Sequence, residues 1–101
     1  MIKHLVMWKL KDVVEGADKQ QNALKMKTIL EALKSKIAQI KHIEVGSNII
    51  VSDAHYDVAL YSEFENETDL EIYQKHPEHV KLAVVINKMT EQRVVVDYKV
   101  G

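Results

Sequence analysis

Between Ile2 and Leu10 apolar side chains occupy both alternating sets of positions. Ile2, Val6, Trp8 and Leu10 fall on one set together with His4, and Leu5 and Met7 fall on the other. A period of two predicts a strand, and a strand with one wet face would carry polar groups on its second set. This strand is therefore expected to be covered on both sides. Lys11 to Gly16 reads as a loop, with Asp18 as a helix cap. From Asp18 to about Ile40 the spacing becomes that of an amphipathic helix. Its buried stripe is read as Leu24, Thr28 (or Met26 with Ile29 and Leu30), Leu33, Ile37 and Ile40.

A second strand is predicted through Val45, Ser47 and Ile49 to Val51, approached through His42-Ile43-Glu44. Ser52-Asp53-Ala54 supplies turn chemistry. A third strand, Tyr56 to Phe64, places Tyr56, Val58, Leu60, Ser62 and Phe64 on one face. The short connection between these two strands implies an antiparallel hairpin. Asn66, followed by Asp69, resembles a cap for a helix carrying Leu70, Ile72 and Tyr73. Pro77 is the only proline. It lacks an N–H and pushes its predecessor out of the helical region, so that helix should stop near Lys75 and another should begin with Pro77 in its first turn.

Leu82 to Ile86 taken alone resembles a buried strand, but the proline before it and Lys81, Asn87 and Lys88 around it favour a helix. Arg93 to Val100 closes the chain as a strand whose Val94, Val95 and Val96 make both faces apolar. The order β-α-β-β-α-β predicts an α+β, ferredoxin-like fold: a four-stranded antiparallel sheet with helices on one face. Those helices cannot cover both sheet faces. The uncovered face is expected to meet a second copy, giving a homodimer through the sheet.

The 101 residues, 47% of them hydrophobic, suit a single domain spanning 1–101. Fourteen Lys and Arg against 15 Asp and Glu leave no field that favours nucleic acid or an anionic membrane. The absence of cysteine excludes disulfides, thiolate zinc sites and a cysteine nucleophile. The opening apolar run is too short for a signal peptide or a membrane span, so the expected setting is the cytoplasm. There is no glycine-rich phosphate loop or nucleophile elbow, and no cofactor is expected.

Candidate chemistry concentrates in Tyr73-Gln74-Lys75-His76-Pro77-Glu78-His79-Val80. His79 should lie in the first turn of the helix begun by Pro77, where free backbone N–H groups disfavour imidazolium and leave a neutral ring able to accept a proton. Tyr73 precedes it by too many residues to share its face on a straight helix, but a bend at Pro77 brings the two together. His4 is assigned to the helix-covered strand face with Val6 and Trp8. Singly, each has an ordinary reading: a core histidine, a packing tyrosine, a helix-start histidine. Jointly they suggest an apolar pocket with a few polar groups. In it His79 would act as base, the Tyr73 hydroxyl would orient it or hold a developing enolate, and His4 would bind an oxygen or shuttle a proton. Val6, Trp8, Ile72 and Leu82 are expected to contact the substrate. His76 and His79, with Glu78 between them, lack a further ligand at recognisable spacing, so no metal site is expected.

The opening Met1 to Asp12, the strand Tyr56 to Phe64, and Tyr73 with His76-Pro77-Glu78-His79-Val80 together resemble the stress-responsive α/β-barrel domain family, over essentially the whole chain. The resemblance implies a ferredoxin-like protomer and a dimeric α+β barrel formed by two sheets. It extends to a plant branch of polyketide cyclases, which close rings by an aldol-type reaction without a cofactor. The catalytic histidine and tyrosine of that branch correspond to His79 and Tyr73, and a strand-one histidine corresponds to His4. The long apolar tunnel of the cyclases is not recognisable from Ile72, Leu82 or Trp8. The resemblance thus implies a homodimer that binds a small apolar or aromatic carbonyl compound, as a cofactor-free cyclase or isomerase. The alternative is a non-catalytic stress-associated protein with a vestigial pocket.

Overall fold

Strand β1 (Ile2–Leu10) lies inside a four-stranded antiparallel sheet and organises the rest of the chain. The computed structural model describes residues 1–101. After β1 come a small hairpin of β2 (Val13–Val14) and β3 (Ala17–Asp18), helix α1 (Lys19–Glu31) and a 3-10 turn (Ala32–Ser35). Then follow β4 (His42–Ser47), β5 (Val58–Phe64), helices α2 (Glu67–Lys75) and α3 (Pro77–Met89), and β6 (Thr90–Lys99). The sheet order is β4-β5-β1-β6, with every neighbouring pair antiparallel. This is the expected ferredoxin-like arrangement.

Alternation along the strands makes the core. Ile2, His4, Val6, Trp8 and Leu10 are buried on β1, as are Val58, Leu60, Ser62 and Phe64 on β5. The helices answer with Ala23, Met26 and Leu30 of α1, Leu70 and Tyr73 of α2, and Ile86 and Met89 of α3. Each fully buried large apolar side chain contributes about 1.5–3 kcal/mol.

Helix α1 begins as expected, with Asp18 and Gln21 forming a reciprocal capping box. It ends at Glu31, short of Ile40, and the chain continues through the 3-10 turn to bury Leu33, Ile37 and Ile40. Its inner stripe runs through Met26 and Leu30; Leu24 is 59% exposed. The segment Ile49 to Val51 is not strand. β4 stops at Ser47, and the Asn48 side chain bonds the Ile50 carbonyl and N–H, closing a local turn that draws the backbone off the ladder. β5 likewise starts at Val58 rather than Tyr56, after the turn region. The segment expected as loop contains the β2–β3 hairpin, turned by Glu15 and Gly16 at φ 52° and 78°. Two successive positive φ values are what a two-residue hairpin of matching twist requires.

On the other sheet face, Leu5 pairs with Val96 and Met7 with Val94. Met7, Val94, Val96 and Tyr98 are all exposed there. Lys3 and Glu63, 2.5 Å apart, border this apolar strip. The doubly apolar β1 predicted above is thus present, with one face packed and one open. No helix is long and apolar enough to cross a membrane.

Candidate functional site

Asn66 caps α2 by accepting the Asp69 N–H at 2.8 Å, and the helix ends at Lys75. His76 is extended (φ −61°, ψ 136°), the conformation that a following proline enforces, and Pro77 opens α3. The His76 Nδ1 accepts the Glu78 N–H at 3.1 Å, so this side chain serves as the α3 cap. The bend folds α3 back on α2. It brings the Tyr73 and His79 rings to 4.5 Å between centroids, at 56°.

Tyr73 is 1% exposed, held against Phe64 at 4.8 Å and against His4 at 6.0 Å. Burial pushes its hydroxyl up to about 12, with Arg93 opposing, so it is a neutral donor around neutrality. His79 donates Nδ1–H to the Gln74 carbonyl at 3.1 Å. A carbonyl can only accept, so the proton of the neutral ring sits on Nδ1 and Nε2 carries the lone pair. Burial draws its pKa below the ordinary histidine value; the Gln74 bond opposes this, while His4 and Arg93 add to it. The helix-start position anticipated a neutral ring, and desolvation is the first cause of the lowered pKa.

His4 is 2% exposed and stands opposite Asp97 on β6, to which its Nδ1 is hydrogen-bonded. Its Nε2 is left without a protein partner.

These groups share a cavity of about 270 Å³. β1 supplies His4, Val6 and Trp8; α2 supplies Tyr73; α3 supplies His79, Leu82 and Asn87; β6 supplies Arg93. Of the residues expected around it, only Ile72 is elsewhere. It is 40% exposed and lies beside Thr68 and Lys75 in an outer groove. One residue's step on a helix turns a side chain by about 100°, so Tyr73 and Ile72 cannot both point inward. Arg93, Asn87 and Asp97 were not anticipated. Arg93 and Asp97 reach the site only through the β1–β6 register, which sets them opposite Trp8 and His4. No set of three His, Asp or Glu side chains gathers as a metal site would require.

The arrangement offers a proton acceptor with its lone pair on Nε2, a neutral phenol donor, and a second histidine fixed by a carboxylate. No Asp or Glu lines the cavity. Such a set can take a proton from a weak acid and hydrogen-bond the oxyanion that forms.

No curated protein matches the chain. Among solved structures, a dimeric protein of unknown function and ferredoxin-like fold from Bacteroides fragilis is 39% identical, with a TM-score of 0.84, covering 98% of this chain and 95% of that one. A dabb family protein from Mesorhizobium loti, also of ferredoxin-like fold, is 25% identical with a TM-score of 0.74, covering 99% and 97%. A hydroxynitrile lyase from Passiflora edulis is 16% identical with a TM-score of 0.83, covering 99% and 93%, a likeness of fold. Residues 2–100 match the stress responsive A/B barrel domain, and the chain belongs to that family.

Proposed function

We propose that the protein binds a small carbonyl compound in this cavity and transfers a proton beside the carbonyl with its own side chains, as a cyclase, isomerase or lyase would. The pairing of His79 with Tyr73 carries the reading. The His79 Nε2 lone pair takes the proton, and the Tyr73 hydroxyl donates to the enolate oxygen as charge builds there. His4 supplies a second Nε2 for positioning or proton return. Val6, Trp8 and Leu82 provide apolar contact for the body of the ligand. A hydroxynitrile lyase of the same fold supports the reading at the level of the fold. The working form is a homodimer joined through the open sheet face, where Leu5, Met7, Val94 and Val96 gather; the dimeric relative at 39% identity supports a dimer.

The test needs no knowledge of the natural substrate. Phenylacetone in D2O exposes α-protons whose exchange is followed by NMR. The wild type should accelerate exchange and His79→Ala should not, while both hold the same oligomeric state. Equal exchange by the two proteins would remove His79 from the chemistry. Binding of phenylacetone without accelerated exchange by either would instead favour a non-catalytic binding protein.

A further inference from the structure

Trp8 and Arg93 are direct partners across the β1–β6 ladder, and both line the cavity. The Trp8 indole N–H is buried and has no hydrogen-bond partner. With essentially no accessible surface, this N–H does not open onto the cavity, and Trp8 lines it with the rest of its side chain. Arg93 forms none of the ion pairs in the protein. The Asp97 carboxylate, opposite His4 on β6, is already bonded to that histidine. The cavity is therefore lined by a cation without an ion-pair partner, Arg93, and by the Asn87 amide, with no anion among its lining residues.

We infer that the ligand is an acid: an apolar body with a carboxylate that pairs with Arg93 in the cavity. This rests on the cavity being the binding site, as proposed above. Guanidinium matches a carboxylate through paired N–H donors. The Arg93 charge acts on both Tyr73 and His79, so a ligand held by it would share the cavity with them. A keto acid or an aryl-substituted acid fits this description; a neutral terpene or alkane does not.

Matched probes decide the point. 3-Phenylpropanoate and 3-phenylpropanamide share a body and differ in charge, and both are titrated calorimetrically into the dimer. The wild type should bind the carboxylate roughly tenfold or more tightly than the amide. Arg93→Gln should reduce that ratio to near one by weakening the carboxylate alone, and Arg93→Lys should retain part of it. Added salt should weaken the carboxylate and spare the amide, since Arg93 is exposed. Equal binding of the probes by the wild type, or a preference that survives Arg93→Gln, overturns the inference. Ala83→Trp, which fills the cavity, separates the two levels. If it abolishes binding of both probes and charge has no effect, the cavity stands and only the acid is wrong. If neither probe binds, or Ala83→Trp changes nothing, both readings fall.

Discussion

Asp97 faces His4 across the β6–β1 ladder, and its carboxylate accepts the His4 Nδ1–H. The last strand of the chain thereby decides which nitrogen of a strand-one histidine carries the proton and which is free in the cavity. Asp97→Ala would leave a buried N–H unsatisfied, at a cost of about 1–3 kcal/mol in urea unfolding. It would also release the tautomer. A long-range proton–nitrogen spectrum should show His4 protonated on Nδ1 in the wild type and shifted toward the Nε2–H form in the variant. An Nε2–H signal in the wild type would contradict the assignment.

His79 makes stability depend on pH in a defined direction. Its folded pKa lies below the ordinary 6.5, chiefly through burial, so the unfolded chain binds the proton first as pH falls. The contribution is fully present above 6.5 and is lost as pH falls through the folded value. Urea midpoints from pH 8 down to 4 should therefore decline less in His79→Gln than in the wild type. Identical profiles would mean that His79 is not desolvated in solution. Tyr73 acts at the other extreme. Its pKa is raised from 10.0 to about 12, so its stabilisation is complete below 10.0 and is lost as pH rises through 12.

The Tyr73 ring and its hydroxyl have separable roles. The ring is packed between Phe64 and His79, whereas the hydroxyl makes no hydrogen bond to protein. Tyr73→Phe removes no hydrogen bond to protein and should therefore cost less than the roughly 0.5–1.5 kcal/mol of a lost one. Tyr73→Ala should cost roughly 3–5 kcal/mol. If the hydroxyl stabilises an enolate, Tyr73→Phe should nonetheless slow phenylacetone exchange by about 10²-fold or more. Unchanged exchange in a stably folded Tyr73→Phe would leave the tyrosine a packing residue.

Much of this site is legible in the order of residues because Pro77 acts locally. A proline constrains its neighbour whatever lies around it, and so the break, the extended His76 and the start of α3 follow from a few consecutive positions. Alternation along β1 is equally local, and it places His4, Val6 and Trp8 on one face. What escapes is set by pairing or by competition between similar signals. Arg93 looks like an ordinary strand-start charge until the β1–β6 register puts it opposite Trp8. Ile49 to Val51 has strand-like composition, but the Asn48 side chain closes its own turn, and Val51 is 99% exposed. Ile72 and Tyr73 both suit a buried helix face, and only packing selects between them.

His76 carries a prediction that separates structure from chemistry. Its Nδ1 caps α3, so His76→Ala should cost about 0.5–2 kcal/mol, and His76→Asn should recover most of that. Neither should alter the ratio of carboxylate to amide binding, because His76 does not line the cavity. A change in that ratio with stability unaffected would show His76 acting on the ligand.

The open sheet face yields a prediction about assembly. Leu5 and Met7 pair with Val96 and Val94 on a surface that no helix of the same chain covers, and Val96 is 56% exposed. Burying such a strip against its copy is favourable at about 25 cal/mol per Å² of apolar surface, and a two-fold axis lets one patch match itself. The wild type should sediment at twice the 11.6 kDa protomer mass. Val96→Glu would place an unpaired charge in that interface, at a cost of roughly 3–5 kcal/mol, and should yield monomers with an unchanged far-UV spectrum. Leu24→Glu, on the exposed side of α1, is the control and should leave the dimer intact. If Leu24→Glu dissociates it and Val96→Glu does not, the copies meet through their helices, and the apolar strip on the sheet needs another occupant.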